Sequence, residues 1–329
     1  MTAISHSISI PEEQAGRRLD QALAELLPDY SRSRIKEWIL GGCVLLDGAV
    51  AQPRTLVAAG QQVELQATVA ARAAVAAQDV PFEVVHEDDA VLVVLKPAGL
   101  VVHPGAGNPD ATLENGLRRH APALAGLPRS GLLHRLDKDT SGLVLVARTL
   151  AAHTHLTRAL QEREITREYR AIVNGVMTAG GTVEAPIGRH PTQRTRMAVV
   201  GGGRPAVTHY RVLGRFAAHS FIAVRLETGR THQIRVHMAH IGFPILGDPT
   251  YGGRPRLPAG ADAALIAALQ GFRRQALHAS AIRFCHPVSG EWLEFGAPLP
   301  QDMRLVLAAL TGSTAAAQRL EALPWPKAL

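Results

Sequence analysis

Apolar residues recur along the first 66 positions at two different periods. Leu19, Leu23, Leu26 and Leu27 stand at helical spacing until Pro28 interrupts them, which predicts a first helix. Ser31 or Ser33 can cap a second helix whose Ile35, Trp38 and Ile39 face inward, and Gly41 and Gly42 end it. The period then shortens to that of strands. Val44 to Leu46 and Ala49 to Val50 flank an Asp47-Gly48 turn signal, and Val63 to Leu65 supplies another short strand. Residues 17–66 therefore read as a small unit of two helices and a sheet.

Residues 67–79 are alanine-rich and hold no core-sized aromatic residue, which suits a linker. From residue 80 short β-branched runs dominate: Val91 to Leu95, Leu143 to Ala147, Tyr169 to Val173, Val207 to Leu213, Phe221 to Leu226 and Ala281 to Phe284. Helical patterns fall at Thr112 to His120, Leu150 to Glu162, Thr231 to His240 and Asp262 to Gln270. The expected class is α+β, with a largely antiparallel mixed sheet in a second domain over residues 80–310. Residues 311–329 are alanine-rich and read as a marginal helix or frayed tail.

Charge adds a partner to this picture. The 329 residues carry 35 Lys and Arg against 28 Asp and Glu, a formal net charge of +7 that favours a polyanion. Cys43 and Cys285 are far apart, so neither a disulfide framework nor a thiolate zinc site is expected, and the compartment is reducing. The N-terminal stretch lacks the basic start and apolar core of a secretory signal. Apolar runs end well short of the roughly 20 residues needed to cross a bilayer. A cytoplasmic protein away from the membrane is the expectation.

Candidate chemistry concentrates in HRLDKDTSGLVLVAR, His134 to Arg148, where polar residues crowd a turn before a strongly apolar strand. Such a turn can hold a carboxylate for catalysis, or the Asp can serve as a local hydrogen-bonding device, and the residues alone leave both readings open. Asp137, Asp139, Ser141 and Gly142 match the start of a calcium loop, but Arg148 stands where the bidentate Glu belongs. His232, His237 and His240 have metal-like spacing but no HExxH pattern, and Gly201 to Gly203 lack P-loop spacing. No metal and no nucleotide cofactor is expected.

Four ordered segments carry a family resemblance. KPAGLVVHPG, HRLDKDTSG, REYRAIVNG and LETGRTHQIRVHMAHIGFPILGDPTYG resemble the motifs of the RluA-type pseudouridine synthases, and GRRLDQALAELLPDYSRSRIKEWILGGCVLLDGAV resembles the S4 RNA-binding module. The resemblance implies an isomerase that works without cofactor on uridines of 23S ribosomal RNA, free or in the assembling large subunit, at the helix 69 hairpin. A monomer is expected. It also implies roles: Asp137 acts on the uridine, Tyr169 sits against the base as general base, Arg230 pairs with Asp137, and Arg135 enters the space left by the flipped base.

These residue types suit those roles. Breaking the C1′–N1 bond and joining C5 to C1′ requires a nucleophile or an anionic partner for the sugar, and a buried carboxylate needs a cation beside it. Flipping exposes a nucleotide that stacking hides, and a hairpin loop is the easiest place to do it. Arg32, Arg34 and Lys36 are a solvated helix face or, with the S4 resemblance, a phosphate-contacting surface. Between Pro186 and Arg215 six arginines (Arg189, Arg194, Arg196, Arg204, Arg211, Arg215) occur without one acidic residue, which predicts a track for the RNA backbone. Two other readings stand beside the isomerase. A non-catalytic RNA-binding factor would bind without product, and a glycosidic hydrolase would release free uracil.

Overall fold

In the computed structural model the described residues are 2–27, 30, 32–69, 75–105, 107–193, 195–253 and 256–326. Pro28 and Ser31 of the sequence reading, part of the expected linker (70–74), and Arg194 lie outside them. The chain divides into two compact units, Met1–Ala74 and Val75–Leu329. Among the described residues no helix is long and apolar enough to cross a membrane.

The first unit holds β1 (Thr2–Ser9), α1 (Leu19–Leu26), α2 (Arg32–Leu40), β2 (Val44–Leu46), β3 (Ala49–Val50) and β4 (Gln62–Val69). Its antiparallel sheet runs β1-β4-β2-β3. Leu19 and Leu23 from α1 and Ile35, Trp38 and Ile39 from α2 pack on Val44, Val63 and Leu65. The turn between β2 and β3 has positive φ at both Asp47 and Gly48, as a two-residue hairpin demands. The unit reaches upstream of residue 17, because β1 pairs with β4 from Thr2↔Val69 to Ser9↔Gln62. That strand is an edge with polar residues between Ile4 and Ile8, so its apolar signal is thin.

The second unit holds β5 (Glu83–Glu87), β6 (Val91–Lys96), α3 (Leu113–His120), β7 (Ser141–Ala147), α4 (Leu150–Gln161), β8 (Thr166–Asn174), β9 (Gly181–Glu184), β10 (Ile187–Arg189) and β11 (Met197–Val199). After these come β12 (Val207–Arg215), β13 (His219–Leu226), α5 (Gln233–His240), α6 (Ala263–Gly271), β14 (Leu277–Cys285), β15 (Trp292–Gly296), α7 (Gln301–Thr311) and α8 (Thr314–Glu321). A nine-stranded sheet runs β5-β6-β7-β14-β8-β13-β12-β9, with β15 on β14. Its pairs are antiparallel except β7 with β14, so the class is α+β with antiparallel pairing dominant. β6 and β7 are buried on both faces. Leu92, Val94, Val144 and Val146 enter one core, while Val91, Val93, Leu143 and Leu145 meet Leu156 of α4 and Phe284 in the other. This is why both strands read as unbroken apolar runs.

Two boundaries differ from the sequence reading. Of the expected linker 67–79, Ala67 to Val69 belongs to β4, and 75–79 dock on the second unit. Arg118 Nη1 donates to the Val75 carbonyl at 3.0 Å and Asn115 Nδ2 to that of Ala76 at 2.8 Å. The expected tail 311–329 contains α8, capped by Ser313. Arg304 pairs with its Glu321, Arg170 donates to the Leu323 carbonyl, and Arg225 lies 4.3 Å from the Trp325 ring centroid. Alanine is no obstacle to such packing, since a small side chain lets α8 approach closely and bury Ala317.

The loop before β7 is fixed from two sides. Lys96, fully buried at the end of β6, donates from Nζ to the carbonyls of Pro97 (2.8 Å), Leu100 (2.7 Å) and Lys138 (2.9 Å). From the other side Arg274 Nη1 donates to the Asp139 carbonyl (3.2 Å), Gln275 Nε2 to Thr140 Oγ1 (3.1 Å), and Ser141 Oγ meets His278 Nδ1 (2.9 Å). Gly142, at φ 124°, sits so close to β14 that an added Cβ would lie 2.3 Å from the Ala279 carbonyl oxygen.

Gly142→Ala should therefore lower the stability of the full chain by about 3 kcal/mol or more, read as the urea midpoint of unfolding. An unchanged midpoint would contradict the close approach. Lys96 supplies a pH test. Burial pulls its pKa down to about 7, against the raising influence of Asp139 and Asp137. Between about pH 7 and roughly 10 the unfolded chain binds a proton that the folded chain does not, so this residue's contribution to stability rises with pH across that window. Relative to Lys96→Met, wild-type unfolding free energy should climb by up to about 1.4 kcal/mol per pH unit there. A flat difference between the two proteins would count against it.

Candidate active site

Asp137 sits in the loop pinned between β6 and β14, its side chain 17% exposed. Arg235 Nη1 donates to its Oδ2 at 3.0 Å. The same guanidinium forks onto Asp248, Nε to Oδ2 at 2.7 Å and Nη2 to Oδ1 at 2.9 Å. Asp248 is fully buried at its side chain and also accepts from the backbone N–H of Thr250 (2.8 Å) and Tyr251 (3.0 Å). One cation thus stands between two carboxylates. Burial alone would lower the pKa of Arg235, but the bonds and charges of Asp248 and then Asp137 raise it above its ordinary value.

The expected pairing of Arg230 with Asp137 is not what the structure shows. Arg230 Nε donates to the Pro205 carbonyl at 3.1 Å, and its backbone N–H donates to Gln233 Oε1 at 2.9 Å. Arg230 precedes α5 and turns toward its rim, whereas Arg235 lies within α5 among the buried Ile234, Val236 and Met238. A signal was present in the sequence: a guanidinium in a helix with apolar neighbours on both sides must find a buried acid. The partner Asp248 is 13 residues further on, and only the fold brings it there.

Tyr169 and Gly142 share one neighbour. Tyr169 on β8 pairs with Ala279 on β14, and Ala279 pairs with Gly142 on β7, which places the tyrosine beside the strand that follows the Asp137 loop. Tyr169 is 4% exposed and belongs to the same core cluster as Leu136. Burial pushes its phenol pKa up; Arg167 works against that shift and the Asp137 charge adds to it. The phenol is therefore protonated in the free protein.

His232 has metal-like spacing in the sequence, where a polar or RNA-contacting role is favoured over a metal. Its Nε2 lies 3.9 Å from Asp137 Oδ1 and its Nδ1 meets the Tyr251 hydroxyl at 3.0 Å. The residue caps α5 with φ 56°, a left-handed conformation rare outside glycine. Burial lowers its pKa, partly offset by Asp137. His237 is buried, with Nδ1 on Thr208 Oγ1 and Nε2 on the Ala185 carbonyl, both at 2.9 Å, so its ring serves the fold.

Arg135 is exposed in the Asp137 loop, and its charge reaches His232. The residues expected to face RNA separate into groups. Arg189 is exposed on β10, and Arg34 and Lys36 are exposed on α2. Arg32 donates Nε and Nη2 to buried Asp20 at 3.0 and 2.8 Å. Arg196 turns inward, donating to Gln193 and to the Thr250 carbonyl and lying 5.1 Å from the Tyr251 ring centroid, which Arg235 also approaches. Arg215 is likewise spent on the carbonyls of Met177 and Thr178. The string of six arginines is thus only partly a free surface, because several complete backbone hydrogen bonding inside the fold.

Residues 90–240 match the RNA pseudouridylate synthase family and residues 17–63 the S4 domain. Ribosomal large subunit pseudouridine synthase D of Escherichia coli (strain K12) is 57% identical over 296 residues, 90% of this chain and 91% of that one. The protein of the same name from Xanthomonas campestris pv. campestris is 54% identical over 311 residues, 94% of each chain. The solved structure of human RNA Pseudouridylate Synthase Domain Containing 1 aligns with a TM-score of 0.53 at 28% identity, covering 76% of this chain and 98% of its own. The chain belongs to the RNA pseudouridylate synthase family, and is an isomerase that turns uridine in RNA into pseudouridine.

Proposed function

We propose that this enzyme isomerises uridines of 23S ribosomal RNA, at the helix 69 hairpin, with Asp137 as the catalytic carboxylate. The observation that carries the reading is the Asp248–Arg235–Asp137 arrangement, which holds a largely buried carboxylate with Oδ2 engaged and Oδ1 left for a substrate. Relatives named for the large ribosomal subunit support the choice of RNA. The enzyme works as a cytoplasmic monomer without cofactor, on free RNA or the assembling subunit.

The reaction exchanges one bond for another inside a nucleotide. The C1′–N1 bond breaks, the base turns, C5 joins C1′, the proton on C5 leaves for solvent and N1 takes up a proton in its place. Asp137 supplies the anion at the reacting carbon. Arg235 orients that anion and keeps it charged as the extruded base displaces water, where desolvation would otherwise protonate it. Tyr169 offers a buried ring against which the pyrimidine packs. Its further role as acceptor of the C5 proton requires a phenolate, and Arg167 is the cation that favours one. Arg135, exposed two residues before Asp137, fills the gap in the RNA stack.

Asp137→Asn should abolish tritium release from RNA carrying 5-tritiated uridine while RNA binding persists. Arg235→Gln should slow release by about 100-fold or more through misplacement of the carboxylate. Nucleoside digests of wild-type reactions should contain pseudouridine and no free uracil, and RNA from cells lacking the protein should lose the helix 69 modification. Turnover by Asp137→Asn at the wild-type rate would remove the aspartate from the mechanism.

A further inference from the structure

Arg230, turned away from Asp137, shares its place with two other arginines. Buried Gln233 accepts from the Arg230 N–H and donates to the Val207 carbonyl and Thr208 Oγ1, both at 3.0 Å, fastening the 228–230 turn to the start of β12. Arg230 Nε reaches the carbonyl of Pro205, the residue after exposed Arg204. From β8, Arg167 brings Nη1 to within 3.1 Å of where a Cβ on Gly229 would stand, and its Nε is buried with no hydrogen-bond partner among the described residues. Burial lowers the pKa of Arg230, and the charge of nearby Arg204 adds to that shift.

No acid among the described residues neutralises these three. Glu227 is engaged by Arg163 and by His209 (2.7 Å). Glu168 is taken by Arg170 and Arg225, and Asp137 and Asp248 share Arg235. Three guanidiniums around one turn repel one another unless an anion joins them. The turn is two residues from His232, whose imidazole faces Asp137, so that anion stands beside the reacting nucleotide. Gly229, without a side chain, leaves room for the Arg167 guanidinium against the turn.

We propose that Arg167, Arg204 and Arg230 form a seat for the RNA phosphodiesters flanking the flipped uridine. This rests on the reading of Asp137 as the reacting carboxylate. Guanidinium forks match phosphate oxygens, and two diesters adjoin every internal nucleotide. The seat holds the sugar's two attachments while its glycosidic bond is broken, leaving the base free to turn.

The test is the salt dependence of binding by the full chain to a hairpin RNA between 50 and 200 mM KCl. Arg167→Gln, Arg204→Gln and Arg230→Gln should each reduce the slope of log affinity against log salt by about 0.7 to 0.9, the contribution of one phosphate contact. KM should rise about three- to tenfold for Arg204→Gln and Arg230→Gln, with the loss falling on KM more than on kcat, while Arg167→Gln, which also removes the cation beside Tyr169, should raise KM and lower kcat together. The corresponding Lys variants should restore the slope. RNA with uncharged methylphosphonates on either side of the target uridine should flatten the wild-type slope and change the Gln variants little. Gln variants with the wild-type slope, or losses that add fully to those of the methylphosphonate RNA, would overturn the seat. Asp137→Asn should keep the wild-type slope. If wild-type protein made no pseudouridine while the arginine variants still flattened the slope, the seat would stand and the assigned chemistry would fall.

Discussion

The site depends on one guanidinium divided unequally between two carboxylates. Asp248 takes two of its donors and is itself bonded to two backbone N–H groups, so Arg235 is immobilised before Asp137 is considered. Asp137 receives the third donor through one oxygen. Breaking a buried pair costs several kcal/mol because it strands a charge, which makes the arrangement rigid. A carboxylate held by a single bond on a fixed partner keeps its orientation and still has an oxygen to offer. A symmetric fork onto Asp137 would have spent both.

That geometry requires the Asp137 loop and α5 to meet, and the sheet arranges it. β7 and β14 are the one parallel neighbouring pair among the described strands of the large sheet, and they touch where Gly142 permits it. Ala279 then joins the Asp137 side of the sheet to the Tyr169 side through its two neighbours. Lys96 closes the other end by collecting three carbonyls of two loops, one of which, that of Lys138, also accepts from the Gly99 N–H. The KPAGL and HRLDKDTSG segments therefore belong together because one buried lysine nitrogen bonds to carbonyls of both.

Charge is sorted by depth. Arg170, Arg196 and Arg235 turn inward and satisfy carboxylates or carbonyls, while Arg135 and Arg204 are exposed and Arg167 and Arg230 stand partly buried with no acid partner among the described residues. A net positive charge describes neither group. Inward arginines build the anionic site, and outward ones supply a field in which a polyanion can lie over a carboxylate that by itself would repel it.

The local patterns of the chain determined most of the elements. Helices from Leu19, Leu113, Leu150 and Ala263 and the buried runs of β6 and β7 follow from spacing and capping, which act between near neighbours. The turn carrying Asp137 was legible for the same reason. Strand β1 was not, since its two isoleucines gain meaning only from β4 about 60 residues away. The tertiary structure alone decided which arginine serves Asp137. Arg230 and Arg235 stand five positions apart in one segment and carry the same charge. Their difference lies in burial and in a distant acid, Asp248, and sequence spacing encodes neither, because desolvation and long-range pairing are properties of the packed chain.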